Sequence, residues 1–287
     1  MTRRLFVGTV TLATLLALSP GLRTDVALRA QVVAQAWNSI TLGPPPKPAS
    51  PAPAPRRSLA GIWDAGGGAG IQAFGARNMP SDGKPEHELP FTPAGVAAFK
   101  LNKPGFGVTE VAPGLINDWL NSCDPGGFPR SDLYEVRALQ IVQYPNQMLL
   151  LHQFQRVWRN IWTDGRELPR DAESRWYGYS VGNWADDYTF VVQTIGLNET
   201  TWLDNAGRPH SDALRVEERY HRADRDTLEL SVTIDDSKFY SKPWLALDKF
   251  PLHLQPASFD IMEMLCSASE VAAYNKAVGN PVSNIRP

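Results

Sequence analysis

The chain has 287 residues, 43% of them hydrophobic and 20% charged, which is ordinary for globular proteins and gives room for one large domain or two small ones. Its formal net charge is −2, with Lys and Arg scattered among the acids and no basic run, so the electrostatic footprint of a nucleic-acid binder is missing. Nine Trp, eight Tyr and eleven Phe favour strands and can line a small-molecule pocket.

Taken in chain order, the first residues read as an export signal. Thr2-Arg3-Arg4 is a positive n-region and Leu5 to Leu18 an apolar run, too short to span a bilayer, which needs ~20 residues. Residues 1–36 are assigned to the signal. Ala34-Gln35-Ala36 fits a small-x-small cleavage site, with a cut nearer Ser19 as the alternative and an uncleaved anchor as the minority reading. Gly43 to Ser58, GPPPKPASPAPAPRRS, reads as an extended polyproline tether inside a linker of residues 37–58. The folded domain is expected over 59–287, opening on Leu59-Ala60-Gly61-Ile62-Trp63.

GGGAG, Gly66 to Gly70, reads as a flexible turn; no Lys-Ser/Thr follows to make it a phosphate loop. Thr92-Pro93 is a sound N-cap and first helical position, with Val96 and Phe99 at helical spacing and Pro104 as the stop. From Ala138 the pattern becomes strands joined by short turns. ALQIVQY and QMLLLHQF flank Pro145-Asn146. VWRNIW runs into Thr163-Asp164-Gly165-Arg166, a hairpin signal because Asp-Gly supplies positive φ. RWYGYSVGNW and YTFVVQTI flank Ala185-Asp186-Asp187, and ALRVEERYH and DTLELSVTID flank Arg222 to Arg225. A last strand is expected in WLALDKFPLHLQ and a last amphipathic helix over Ser267 to Val278. Sequential antiparallel strands predict a mainly β protein, a meander closing into a lipocalin-like barrel with an irregular N-terminal segment and short helices.

Cys123 and Cys266 are the two cysteines, and export places them in an oxidising compartment, so a disulfide between them is expected. His152, on an apolar strand, reads as a satisfied core histidine. Gly178-Tyr179-Ser180-Val181-Gly182 has the letters of a nucleophile elbow, but strand residues on both sides lack the strand–turn–helix context.

The segment Thr201 to Tyr220, TWLDNAGRPHSDALRVEERY, concentrates charge. On the strand it feeds, Leu214, Val216, Glu218 and Tyr220 share one face and Arg215, Glu217, Arg219 and His221 the other. That polar face is either wet outer surface or the lining of the lumen. The second case predicts a catalytic set of His210 as acid or base, Asp212 or Asp204 to orient it, Arg215 to steady negative charge, and Glu217. Trp158, Trp176, Trp202 and Tyr220 are the candidate ligand-binding aromatics. No cofactor and no metal site are called for.

GIWD, CDPGGFPR, IWTDGRELP, TWLDNAGRPHSDALRVEERY and TIDDSKFYSKPW together resemble a family of exported bacterial proteins without a settled activity. Members of that family often carry an acid where this chain has Gln193, which would imply an altered function here if the acid matters. The functional expectation is a periplasmic or secreted enzyme performing hydrolysis, elimination or isomerisation on a small organic molecule in a barrel pocket. The alternative is a non-catalytic binder of an aromatic or lipid-like compound, with neither nucleic acid nor a stable membrane span involved.

Overall fold

The computed structural model describes residues 52–66, 72–274 and 276–277. The expected signal and most of GGGAG lie outside the described residues. The end of the expected tether lies within them and is fastened to the barrel: Arg57 N–H donates to Asp187 O at 2.6 Å and Arg225 N–H to Ala52 O at 2.9 Å.

Nine strands close into a barrel in sequence order. They are β1 (Gly61–Asp64), β2 (Leu139–Gln143), β3 (Gln147–His152), β4 (Trp158–Trp162), β5 (Tyr179–Trp184), β6 (Thr189–Ile195), β7 (Arg215–Arg222), β8 (Thr227–Asp235) and β9 (Trp244–Leu254). β1 closes the ring by pairing antiparallel with both β2 and β9, so neither end of the meander is left as a free edge. Period-2 burial runs through β3, β7 and β8, as strands with one packed face require.

One connection departs from the meander. The hairpin expected at Thr163–Arg166 is not formed. Gly165 does take φ +85°, as an Asp-Gly turn predicts, but the chain continues to 178 before β5 begins. β5 then runs parallel to β4, joined only at Ile161↔Ser180 and Trp162↔Val181. A parallel pair needs a crossover rather than a tight turn, and residues 163–178 supply it. With two residue pairs it is a thin seam, matched by the two pairs that join β1 to β9.

Helix α1 (Pro93–Phe99) starts as expected, with Thr92 Oγ1 accepting from Gly95 N–H. Short α2 (Arg130–Leu133) is wholly buried, and α3 (Ala268–Tyr274) lies within the helix expected near the C-terminus. The predicted disulfide joins Cys123 to Cys266, with Cα atoms 5.3 Å apart. It ties the connection between β1 and β2 to the segment after β9.

The lumen is mostly packed with apolar side chains, among them Trp63, Leu150, Phe190, Leu230 and Phe250. Near the end of β7 Arg222 lies over the Trp63 ring at 4.5 Å and donates to Ser58 O at 2.8 Å. Residues 126–133 are buried throughout, Phe128 fully, and Phe128 N–H donates to Trp176 O at 2.9 Å.

Candidate functional site

Two faces of β4 define the site. Arg159 and Ile161 point into the lumen, while Trp158, Asn160 and Trp162 point outward. On the inner side Arg159 makes a bidentate ion pair with Glu218 of β7, at 2.9 Å to Oε1 and 2.7 Å to Oε2. Neither residue is reached by solvent to a meaningful degree, at 2% and 0% exposed. Tyr220 donates its hydroxyl to Glu218 Oε1 at 2.6 Å. Ser180 and Thr194 share a 2.8 Å hydrogen bond beside the guanidinium, which also stacks on the Phe128 ring at 3.6 Å.

Asp132, carried in on α2, completes the cluster. Burial raises its pKa well above the carboxylate range, and the charge of Glu218 raises it further. Its Oδ2 has no hydrogen-bond partner among the described residues. His152, inward on β3, is pushed down to about 3 by burial and by the Arg159 charge. It is a core histidine as expected, but it is not a satisfied one, because Nε2 has no partner among the described residues.

On the outer side, β4, β5 and the 163–178 connection form an open cleft of about 580 Å³. Its walls are aromatic, from Trp158, Trp162, Trp176, Tyr177 and Tyr179, and Arg159 and Ser180 form part of it. The cleft and the buried cluster therefore meet at Arg159 and Ser180. Arg166 lies over the Trp162 ring at 3.7 Å, pairs with Asp164 at 2.6 Å and donates to Tyr179 Oη at 3.1 Å. Arg175 pairs with Glu173 at 3.2 Å.

Six buried side-chain polar atoms lack a partner among the described residues. Four of them, Asp132 Oδ2, His152 Nε2, Arg159 Nε and Asn160 Oδ1, belong to this junction. Unsatisfied groups are costly in a native core and gather where a ligand or proton completes them.

The sequence-predicted catalytic residues are distributed otherwise. The polar face of β7 is the outer surface: Arg215 is exposed and Glu217 half-buried, paired with Arg219 and with Gln193 Nε2 at 2.5 Å. The assumption that this face lines the lumen is thus corrected by the register of β7, which turns Val216, Glu218, Tyr220 and Arg222 inward. Asp212 is exposed and pairs with Lys238, which holds its carboxyl below the usual range. Asp204 is buried, binds Arg208 at 2.9 Å and accepts from the N–H of Ala76 and Ala206 at 3.0 Å each. His210 is buried, with Nε2 2.8 Å from Thr201 Oγ1 and Nδ1 3.2 Å from Ser211 O; burial lowers its pKa. Among the described residues no hydrogen bond or ion pair joins any two of the five. The segment is a salt-bridged corner, in which Asp236 also receives Ser211 N–H and hydroxyl at 2.6 and 2.7 Å.

Of the predicted aromatics, Trp158 and Trp176 meet in the cleft. Trp202 does not join them; it is buried beneath Arg130 at 5.6 Å. Tyr220 lies in the lumen against Glu218. The residues missed were Asp132, Arg159, Glu218 and the orphaned nitrogen of His152. One signal was present for Glu218: a carboxylate alternating with Leu214, Val216 and Tyr220 on an otherwise apolar face. Among the described residues no group of three or more His, Cys, Asp or Glu is placed to hold a metal ion, and no helix is long and apolar enough to cross a membrane.

Comparison of the chain with protein-family models, with curated proteins and with solved structures finds no match in any of the three.

Proposed function

We propose that this protein is an exported small-molecule binder whose ligand lies in the cleft over β4 and β5. The observation that carries the reading is the cleft itself. About 580 Å³ falls in the size range of small-molecule sites, and five aromatic residues share its walls with Arg159, Arg166, Arg175, Asn160 and Ser180, so flat apolar surface and polar groups converge on one space. The disulfide and the Thr2–Leu18 pattern support export.

The experiment is calorimetric titration with a panel of one- and two-ring aromatics. Trp158→Ala and Trp176→Ala should each weaken binding about tenfold, the effect of losing ~1.4 kcal/mol of aromatic contact. A protein that takes up none of the panel, or binds it regardless of both substitutions, rules the reading out.

A second reading, acid/base chemistry on the bound molecule, is favoured by one observation. Asp132, its pKa raised by burial and by the charge of Glu218, lies near the Glu218 carboxylate, which is held by Arg159, a residue that also lines the cleft. A buried acid with a raised pKa beside a charged partner is a candidate proton donor. Asp132 is then the acid and Glu218 the base, in place of His210. Turnover that is lost in Asp132→Asn while binding persists supports it; a wild-type protein that binds without converting any panel compound leaves the binder alone.

A further inference from the structure

Two acid-x-Arg pairs lie on the crossover between β4 and β5, Asp164 with Arg166 and Glu173 with Arg175, and both arginines line the cleft. They are held unequally. Arg166 is committed at both ends: Nε and Nη2 donate to Asp164 at 2.9 and 2.6 Å, Nη1 donates to Tyr179 Oη at 3.1 Å, and its flat face covers the Trp162 ring. Arg159, the third arginine of the walls, is buried and bidentate on Glu218. Arg175 makes one side-chain hydrogen bond among the described residues, from Nη2 to Glu173 Oε2 at 3.2 Å. Its side chain is 52% exposed and that of Glu173 79%, so the pair is screened by water and worth little. The guanidinium carbon lies 5.8 Å from the centre of the Tyr179 ring, itself a cleft wall, so the charged end of Arg175 is at the cleft. The base of the residue is fixed, because its N–H donates to Gly196 O and its C=O accepts from Asn198 N–H, both at 2.9 Å.

We infer that the ligand is a planar aromatic carboxylate, with its ring against Trp158 and its acid group on Arg175. This inference rests on the cleft reading and deepens it by naming the class of compound. Among the described residues the walls include three arginines and neither Asp nor Glu; the acids that pair with those arginines are not wall residues. Trp158, 63% exposed, offers an aromatic face on the same cleft. A flat ring stacks there, and its carboxylate accepts from the guanidinium N–H groups that Glu173 leaves unused. Such charge-assisted bonds are shorter and stronger than neutral ones, and the planar fork of Arg matches the geometry of a carboxylate.

Charge separates this class from its rivals. An aromatic amine in its protonated form would meet guanidinium groups and no wall carboxylate. A neutral ring can stack on Trp158, but it leaves the donors of Arg175 to water. The half-open position of Arg175 sets the size of the preference: the attraction is weaker than in a closed core, and it falls as salt screens it.

The test is calorimetric titration of the intact protein with 2-naphthoate, its neutral isostere 2-naphthamide, the cation 2-naphthylmethylammonium, and cyclohexanecarboxylate, which has the acid without the flat ring. The unaltered protein at low salt should bind 2-naphthoate about tenfold more tightly than 2-naphthamide, and the ratio should shrink as sodium chloride is raised. Cyclohexanecarboxylate should bind more weakly than 2-naphthoate. Arg175→Gln should bring 2-naphthoate to the affinity of 2-naphthamide and leave 2-naphthamide unchanged, which also shows that the variant is folded. Arg175→Lys should keep part of the preference. Equal binding of 2-naphthoate and 2-naphthamide, with Trp158→Ala weakening both, overturns the anionic class and leaves the cleft reading standing. Preference for the ammonium compound overturns that class likewise. A preference for 2-naphthoate that persists in Arg175→Gln overturns the role of Arg175, and cyclohexanecarboxylate binding as tightly as 2-naphthoate overturns the need for a flat ring. Failure to bind any of the four overturns the cleft reading itself.

Discussion

His152 and Asp132 both face Arg159 in the lumen and act on stability with opposite signs. The folded protein holds His152 at about 3, whereas an unfolded chain binds a proton near the ordinary 6.5. The unfolded state therefore takes up more protons below that value, and stability is lost as pH falls from about 6.5 towards 3. His152→Gln, which cannot protonate, should flatten this acid limb, read as a smaller fall in the urea midpoint between pH 7 and pH 4. Asp132 runs the other way. Its raised pKa means that the folded state keeps a proton which the unfolded state releases above the ordinary 3.8, so its contribution diminishes as pH rises through that interval. Asp132→Asn mimics the neutral acid. It should gain stability relative to the parent at pH 7 and little at pH 4. Glu218→Gln is the contrasting case, since it strands Arg159 in the core; losing one partner of a buried pair costs about 3–5 kcal/mol at neutral pH. Matching losses in Asp132→Asn and Glu218→Gln at pH 7 would show that Asp132 is ionised in the fold.

At the level of single strands, β5 explains why the lumen cluster has room. Two of its inward positions are the small Ser180 and Gly182, and Phe190 of β6, which also packs on Trp184, lies against Gly182. A Cβ on Gly182 would lie 2.4 Å from Phe190 Cζ and 2.9 Å from Ile161 Cγ2. Gly182→Ala should cost about 1–3 kcal/mol through overpacking at the thin β4–β5 seam, measured by urea unfolding. A neutral effect would mean that the seam opens readily. The same strand shows where sequence reading fell short. In YGYSVGNW Tyr179 lines the cleft and Val181 is only half-buried, while the small Ser180 and Gly182 are buried, so over these four positions the usual equation of large with buried points the wrong way. β4 misleads likewise, since Trp158 and Trp162 resemble core while Arg159 occupies it. The Asp-Gly at 164–165 does turn the chain, but tertiary pairing with β5 in parallel overrides the hairpin that it signals locally. Elements with clear alternation, such as β7 and β8, were legible to within a residue or two.

Across the whole molecule, closure of the meander could be read because each strand pairs with its successor and because exposed edges are disfavoured. The site could not, since it is assembled from α2, β3, β4, β5 and β7, and no local spacing links Asp132 to Glu218. What local charge density did mark was the 201–220 corner, where His210 and Asp204 are satisfied by near neighbours. The disulfide was legible from two cysteines and the compartment, and it gives the molecule-scale prediction. Cys123 and Cys266 are separated by 143 residues, so in the chain-entropy description their link removes up to about 5 kcal/mol of unfolded-state freedom. It lies outside the barrel ladder, which β1 closes against β9 without it. Replacing both cysteines by Ser should therefore lower the unfolding free energy by about 2–5 kcal/mol while the far-ultraviolet spectrum of the barrel is kept. Limited proteolysis should then cut after Leu254 and leave the strands intact, because the segment carrying Cys266 loses its tie to the 119–123 turn. If the strand signal disappears with the disulfide, the barrel is not self-sufficient, and the cross-link belongs to its core rather than to its periphery.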